Sequence, residues 1–266
     1  MIRFLSIFPL LLLLLLLCIV PARSADLSDA VQRDYDEHLG ALFEHFHRNP
    51  ELSYRENATA ARIAEELRGV GFEVTEGVGE TGVVAIMENG DGPLVMMRAD
   101  MDGLPVEEKS GLPYASAATQ VDRNGVEQPV MHACGHDVHI TGLVGTARQM
   151  AARRDEWSGT LMLIGQPAEE VITGARTMME DRLWERFGQP DHAMAFHVAA
   201  AIPTGKLSAV LDYRIPVPTR WILLCTASVP TARVRIRASI RCCWAHRSSS
   251  ACSPSSAGHC HRARRV

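Results

Sequence analysis

The chain has 266 residues, 47% of them hydrophobic and 22% charged, with a formal net charge of -4. That length holds one large domain or two ordinary ones, the composition excludes a disordered chain, and the charge excludes a general nucleic-acid binder, which needs a basic stripe or patch. The average hides an asymmetry: all 31 acidic residues lie at or before Asp212, whereas residues 214–266 hold ten Arg and no acid.

Residues 1–24 have the shape of a secretory signal, with Arg3, an apolar run over 4–20 that includes eight consecutive leucines, and small residues Ala22 and Ser24 before the cleavage point. The expectation is export with cleavage after Ser24. The apolar run is also close to the lower limit for a spanning helix, so an uncleaved membrane anchor is the alternative. Cys18 does not make a lipoprotein site, because Leu17 is bulky where a small residue is needed. Of the seven cysteines, Cys18 leaves with the signal and five lie after residue 213. Cys134 is therefore alone in the body of the chain, where a thiol in an oxidising compartment is buried, reactive or bound to something.

Next in the chain, Leu27, Val31, Tyr35, Leu39, Leu42, Phe43 and Phe46 recur at helical spacing and predict one helix over 27–47 with an apolar face, N-capped by Ser28. His38, His45 and His47 read as surface or helix-end histidines. A second helix is predicted over 57–68, with Ala60, Ile63, Ala64 and Leu67 inward and Gly69 or Gly71 ending it. Short strands come next at 72–75, 83–87 and 94–97, the last two joined by Asn89-Gly90-Asp91-Gly92 as a hairpin turn. A helix over 138–152, a buried strand at 161–164, a helix over 174–187 and a strand at 193–198 complete the alternation. The fold expected is an α/β sandwich with its sheet between helical layers.

In such sheets functional residues gather just past the carboxyl ends of strands. Four clusters sit there: residues 98–102, 132–139, 166–170 and His197. The segment 131–139 carries a thiol, three imidazoles and a carboxylate, the preferred ligands of zinc and related divalent metals. Cys134 and His136, separated only by Gly135, turn toward one ion from a loop, which would leave His139 pointing elsewhere on the following helix. Glu169 and Glu170 are adjacent, so one carboxylate is free to ligate a metal while the other reaches a water, the division that metal-assisted hydrolysis requires.

Three runs together, Met97-Arg98-Ala99-Asp100-Met101-Asp102-Gly103-Leu104-Pro105, His132-Ala133-Cys134-Gly135-His136-Asp137 and Gln166-Pro167-Ala168-Glu169-Glu170, resemble the successive signatures of the metal-dependent amidohydrolases that include hippurate hydrolase, N-acyl-amino-acid amidohydrolase and the auxin-conjugate hydrolases. That group is related to aminoacylase and carboxypeptidase G, and residues 45–53 are similar to its opening helix. The likeness covers about residues 30–213. It implies a three-layer α-β-α, zinc-exopeptidase-like catalytic domain, and metal ligands Cys134, His136, Glu170 and His197. It further implies Glu169 as general acid/base and Asp102 orienting a ligand, with Asp100 a candidate behind them. It also implies two divalent ions, manganese or zinc with cobalt or nickel as alternatives, and a small N-acyl amino acid as substrate with no nucleic-acid partner. Relatives are often homo-oligomeric through a lid domain that supplies a substrate-binding His, and a returning segment supplies a last His ligand; neither is recognisable here.

From about residue 214 the composition turns to Arg, Ser, Cys, Ala and Pro, the bias of a GC-rich gene read out of frame. Residues 214–266 are accordingly expected to be an anomalous basic tail rather than the rest of the catalytic domain, with one loosely alternating stretch at 229–236. His259, Cys260 and His261 are ligand types without the expected surroundings. Two readings of the whole result: an amidohydrolase, or a truncated and inactive remnant that still binds metal. A cysteine hydrolase built on Cys134 is the weaker third, because no catalytic-cysteine signature surrounds it.

Overall fold

The computed structural model describes residues 27–200 together with 202, 203, 206, 208, 209 and 221–225. The expected signal segment, the stretch at 229–236 and the cluster at 258–261 lie outside the described residues. Among the described residues no helix is long and apolar enough to cross a membrane.

The chain opens with α1 (Leu27–Asp34), a π-helical segment Tyr35–Leu39 and α2 (Gly40–Arg48) in one continuous run. The predicted single apolar face does not survive. The π segment slips the helix register, so Leu39, Leu42 and Phe46 are buried while Leu27, Val31 and Tyr35 are exposed. Next, α3 (Asn57–Gly69) buries Ala60, Ile63, Ala64 and Leu67 as their spacing requires. Its first-turn N–H groups at Ala58 and Thr59 are capped by the carboxylate of Glu51, at 3.2 and 2.7 Å.

The main sheet contains β1 (Glu73–Val78), β2 (Gly82–Asn89), β3 (Leu94–Asp100), β6 (Gly159–Gln166), β7 (His192–Ala195), β8 (Ser208–Ala209) and β9 (Trp221–Cys225). A small hairpin of β4 (Thr119–Val121) and β5 (Glu127–Pro129) stands apart. The spatial order is β1-β2-β6-β3-β7-β9-β8. This overturns the hairpin expected at Asn89-Gly90-Asp91-Gly92. β6 lies between β2 and β3, antiparallel to the first and parallel to the second. Asn89 instead donates to the carbonyls of Arg154 and Trp157, each at 2.7 Å, tying the turn to the segment that leads into β6.

Two cores flank the sheet. On one face Val83, Ala85, Met87, Ala99, Leu161 and Leu163 meet α2, α3 and α4 (His136–Ala152). On the other, Val84, Met96, Met162, Ile164 and Ala193 meet Met178 of α5 (Gly174–Glu180) and Leu183 of α6 (Leu183–Phe187). Neighbouring residues of one strand thus feed opposite cores, which makes the three-layer α-β-α sandwich expected from the sequence. The single helix expected over 174–187 is two, broken at Arg182, which takes a left-handed φ of 60°. After residue 213 the described strand is β9, parallel to β7, at Trp221–Cys225.

Candidate metal centre

β3, β6 and β7 run parallel, and the segments leaving their carboxyl ends converge on the N-terminus of α4. β3 ends at Asp100 and leads to Asp102; both carboxylates are buried. β6 ends at Gln166 and turns through Pro167 and Ala168 to Glu169 and Glu170. Past β7 come Phe196, His197 and Val198. The loop before α4 carries Cys134, and Gly135 at φ 82° lets the chain swing into the helix that begins with His136.

Asp102 ties three of these segments together. Its Oδ1 accepts from the Glu169 N–H at 3.1 Å, and its Oδ2 accepts from the Glu170 N–H at 3.0 Å and from the Ser53 hydroxyl at 2.6 Å. Oδ1 also lies 3.4 Å from His136 Nδ1. Asp100 accepts from Arg98 at 2.8 Å and pairs with His139 Nδ1 at 2.5 Å. Glu56, buried at the start of α3, accepts from the Ala168 N–H at 2.8 Å and the Thr81 hydroxyl at 2.6 Å. It therefore holds the residue before the glutamate pair.

Cys134 Sγ, His136 and Glu170 each offer a ligand atom within 4.8 Å of the others. His197 Nε2 stands 3.6 Å from Cys134 Sγ. Glu169 is the more exposed of the two glutamates and reaches to 3.9 Å from His136 Nε2, against 3.8 Å for Glu170. The expected ligands Cys134, His136, Glu170 and His197 thus come together, with Glu169 and Asp102 beside them. His139 departs from expectation. It faces this cluster, its ring 5.3 Å from that of His136, because residues three apart on a helix share a face. Both its nitrogens are already engaged, by Asp100 and by the Val198 N–H at 2.9 Å.

The electrostatics of the cluster favour a cation. Burial opposes charge on His136, but Asp102, Cys134 and Asp100 outweigh it and raise the imidazole to about 11. Burial likewise pushes both aspartates up, yet Arg98 and the histidines hold Asp100 far below the carboxylate range, and His136 and Ser53 lower Asp102. Two buried carboxylates beside one imidazole, with only the Arg98 cation paired to Asp100, make the cluster receptive to a further positive charge. His136 Nδ1 and Nε2 and Glu170 Oε1 are nonetheless buried without a hydrogen bond. Buried polar atoms left unpaired are costly, and a divalent ion would satisfy them. A thiolate, imidazoles and a carboxylate fit zinc, cobalt or manganese better than magnesium.

Two residues do more than sequence reasoning assigned them. His47 is a helix-end histidine as expected, in the last turn of α2, but it is buried rather than on the surface, with Nδ1 2.6 Å from Asp137 Oδ2 and Nε2 3.0 Å from Glu108 Oε1. Burial works against its protonation, but Glu108 and Asp137 prevail and raise it. It clamps the first turn of α4 to the segment after residue 104. Glu56 carried no sequence signal, being one acid at a helix start.

Comparisons with known proteins bear on the family and the fold. A hippurate hydrolase from Campylobacter jejuni is 41% identical over 152 residues, 57% of this chain and 37% of that protein. The IAA-amino acid hydrolase ILR1-like 5 of Arabidopsis thaliana is 33% identical over 210 residues, 76% of this chain and 46% of that one. The chain thus spans less than half the length of these relatives. Among solved structures, the Bacillus subtilis YXEP protein, described as a dinuclear metal binding peptidase from the M20 family, superposes with a TM-score of 0.58 at 33% identity. It covers 66% of this chain and 47% of its own. The sequence pattern of Peptidase family M20/M25/M40 matches residues 96–257, from within β3 to well past residue 213. Because that match takes in more than half of the chain, the protein belongs to Peptidase family M20/M25/M40.

Proposed function

We propose that this chain is built to hydrolyse the amide bond of N-acyl or N-aroyl amino acids with one or two divalent ions held by Cys134, His136, Glu170 and His197. The observation that carries the reading is the set of buried, unpaired polar atoms of His136 and Glu170 beside a thiol and two aspartates. When bound, such an ion lowers the pKa of a water and polarises a carbonyl oxygen. Glu169, the more exposed of the pair, would take a proton from the attacking water and deliver it to the amine nitrogen as the C–O bond forms and the C–N bond breaks. Asp102 holds the backbone of both glutamates and faces His136, so it fixes the base relative to the ligands. The names of the hippurate and IAA-amino acid hydrolases support an N-acyl amino acid as the substrate class.

A second reading is that the folded body binds metal and turns nothing over. Both readings expect purified protein to take up zinc, cobalt or manganese, and Cys134→Ser to lower the metal content. Equal metal in wild type and C134S would remove Cys134 from the ligand set. They part on hydrolysis of N-benzoyl and N-acetyl amino acids by the metal-loaded chain. Turnover that falls by roughly two to four powers of ten in Glu169→Gln, with metal retained, supports the hydrolase. Unchanged turnover in E169Q would sink the role given to Glu169, and no turnover in the wild type would favour the second reading.

A further inference from the structure

We infer that His139 is a positioning residue which, acting through Val198, fixes the tautomer and direction of the His197 ring. The inference deepens the metal-site reading and rests on it for its functional meaning, although the structural claim stands apart from any ion. A backbone N–H only donates. His139 Nε2, 2.9 Å from the Val198 nitrogen, must therefore be the acceptor, and the ring carries its proton on Nδ1, directed at Asp100. A carbonyl only accepts. His197 Nδ1, 2.6 Å from the Val198 oxygen, must therefore carry a proton. In the neutral ring this leaves the Nε2 lone pair of His197 free, on the side where Cys134 Sγ lies 3.6 Å away. A histidine offers a metal one nitrogen, and which one is set by the hydrogen bond of the other.

Val198 is held on three sides. Its N–H is on His139 and its carbonyl is on the His197 ring. Its side chain sits over Gly135, where a Cβ would come within 2.3 Å of Val198 Cγ2. The residue between Cys134 and His136 is thus the seat for the residue after His197. His139 is in turn fully buried and braced by Asp100, which Arg98 holds. The line from Arg98 through Asp100 and His139 to Val198 connects the end of β3 to the segment after β7.

Two substitutions separate the links. Asparagine places an amide nitrogen where Nδ1 stands, so His139→Asn keeps a donor toward Asp100 and leaves the Val198 N–H unpaired. Glutamine reaches the Nε2 position, so His139→Gln keeps an acceptor for that N–H. Both are polar and no larger than imidazole, so neither overfills the site. Long-range proton–nitrogen correlation spectra of the metal-free protein read the tautomer of His197 directly. We expect wild type and H139Q to show His197 protonated on Nδ1 alone, and H139N to show a mixture of tautomers. The wild-type pattern in H139N, or the mixture in wild type, would overturn the inference. Cobalt titration, followed by the thiolate-to-cobalt charge-transfer band of Cys134, should show affinity about 10- to 100-fold weaker in H139N and restored in H139Q. A wild type that takes up no cobalt would defeat the metal-site reading, while the spectra would still decide the role of His139.

Discussion

At the scale of single residues, the site depends on buried carboxylates that face more donors than solvent. Glu56 is the clearest. Burial raises its carboxyl to about 7 against the donors that lower it, which include the Thr81 hydroxyl and the Ala168 N–H. Its folded pKa lies above the unfolded value of 4.5, so the stability linked to its proton is fully present below pH 4.5 and is lost as the pH rises through about 7. Glu56→Gln keeps an acceptor for the Ala168 N–H but has no proton to lose. Metal-free wild type and E56Q should therefore differ by a constant amount below pH 4.5. The wild type should then lose up to about 3 kcal/mol relative to E56Q by pH 8. Parallel denaturation midpoints across that range would show that Glu56 is not held neutral by the fold.

At the scale of elements, the loop from Pro167 to Gly174 decides how Glu169 and Glu170 are presented. Ala168 and Ile172 bracket the pair with left-handed φ values of 50° and 58°, and Ile172 is 81% exposed. A β-branched residue there is strained by about 1–3 kcal/mol. Thr173 and Gly174 both donate to the Ala168 carbonyl, and a Cβ on Gly174 would fall 1.6 Å from the Pro167 oxygen. Two changes in this loop should act with opposite sign. Ile172→Gly should stabilise by about 1 kcal/mol. Gly174→Ala should cost at least about 2 kcal/mol, or roughly 4–8 °C in Tm, and should lower metal content as the loop opens. Calorimetry with metal analysis checks both, and a neutral G174A would mean the loop yields more easily than its contacts indicate.

The same elements show what the sequence could and could not disclose. Apolar spacing located α3, α4, β2, β3 and β6, because each buries a periodic face or a continuous run. It located the helical run that opens with α1 but not its buried face, since Leu27, Val31 and Tyr35 lie outside the face that Leu39 and Phe46 share. It failed at Asn89-Gly90-Asp91-Gly92, since turn chemistry is local and strand order is not. The ligand candidates were legible as residue types crowded after strands. His139 was legible in principle, three residues beyond His136 on one helix face. The roles of Glu56 and His47 were not, because each depends on partners, Ala168 and Asp137, that are distant in sequence.

For the whole molecule, the sheet order assigns unequal stability to the arms of the site. β6 is paired along its full length on both sides, with β2 and β3, and its residues are almost all buried. β7 pairs with β3 over four residues and with β9 over three. The glutamates therefore hang from the most heavily supported strand and His197 from a lightly supported one. Native-state hydrogen exchange should find the β6 amides slowest among the described residues and those of β7 distinctly faster. Comparable protection in the two strands would mean that β9 braces this side of the sheet more than its short pairing implies.

The placing of β6 between β2 and β3 also bears on how a growing chain reaches this structure. β2 and β3 are complete once residue 100 has been made, but the strand that belongs between them is finished only at Gln166. During that interval both have bare ladder edges and a glycine-containing turn that favours joining them directly. The hairpin that local chemistry favours is thus a competitor that synthesis offers first. Reaching the final order requires β6 to enter between two strands already free to pair, a slow kind of step set by distant contacts rather than local ones.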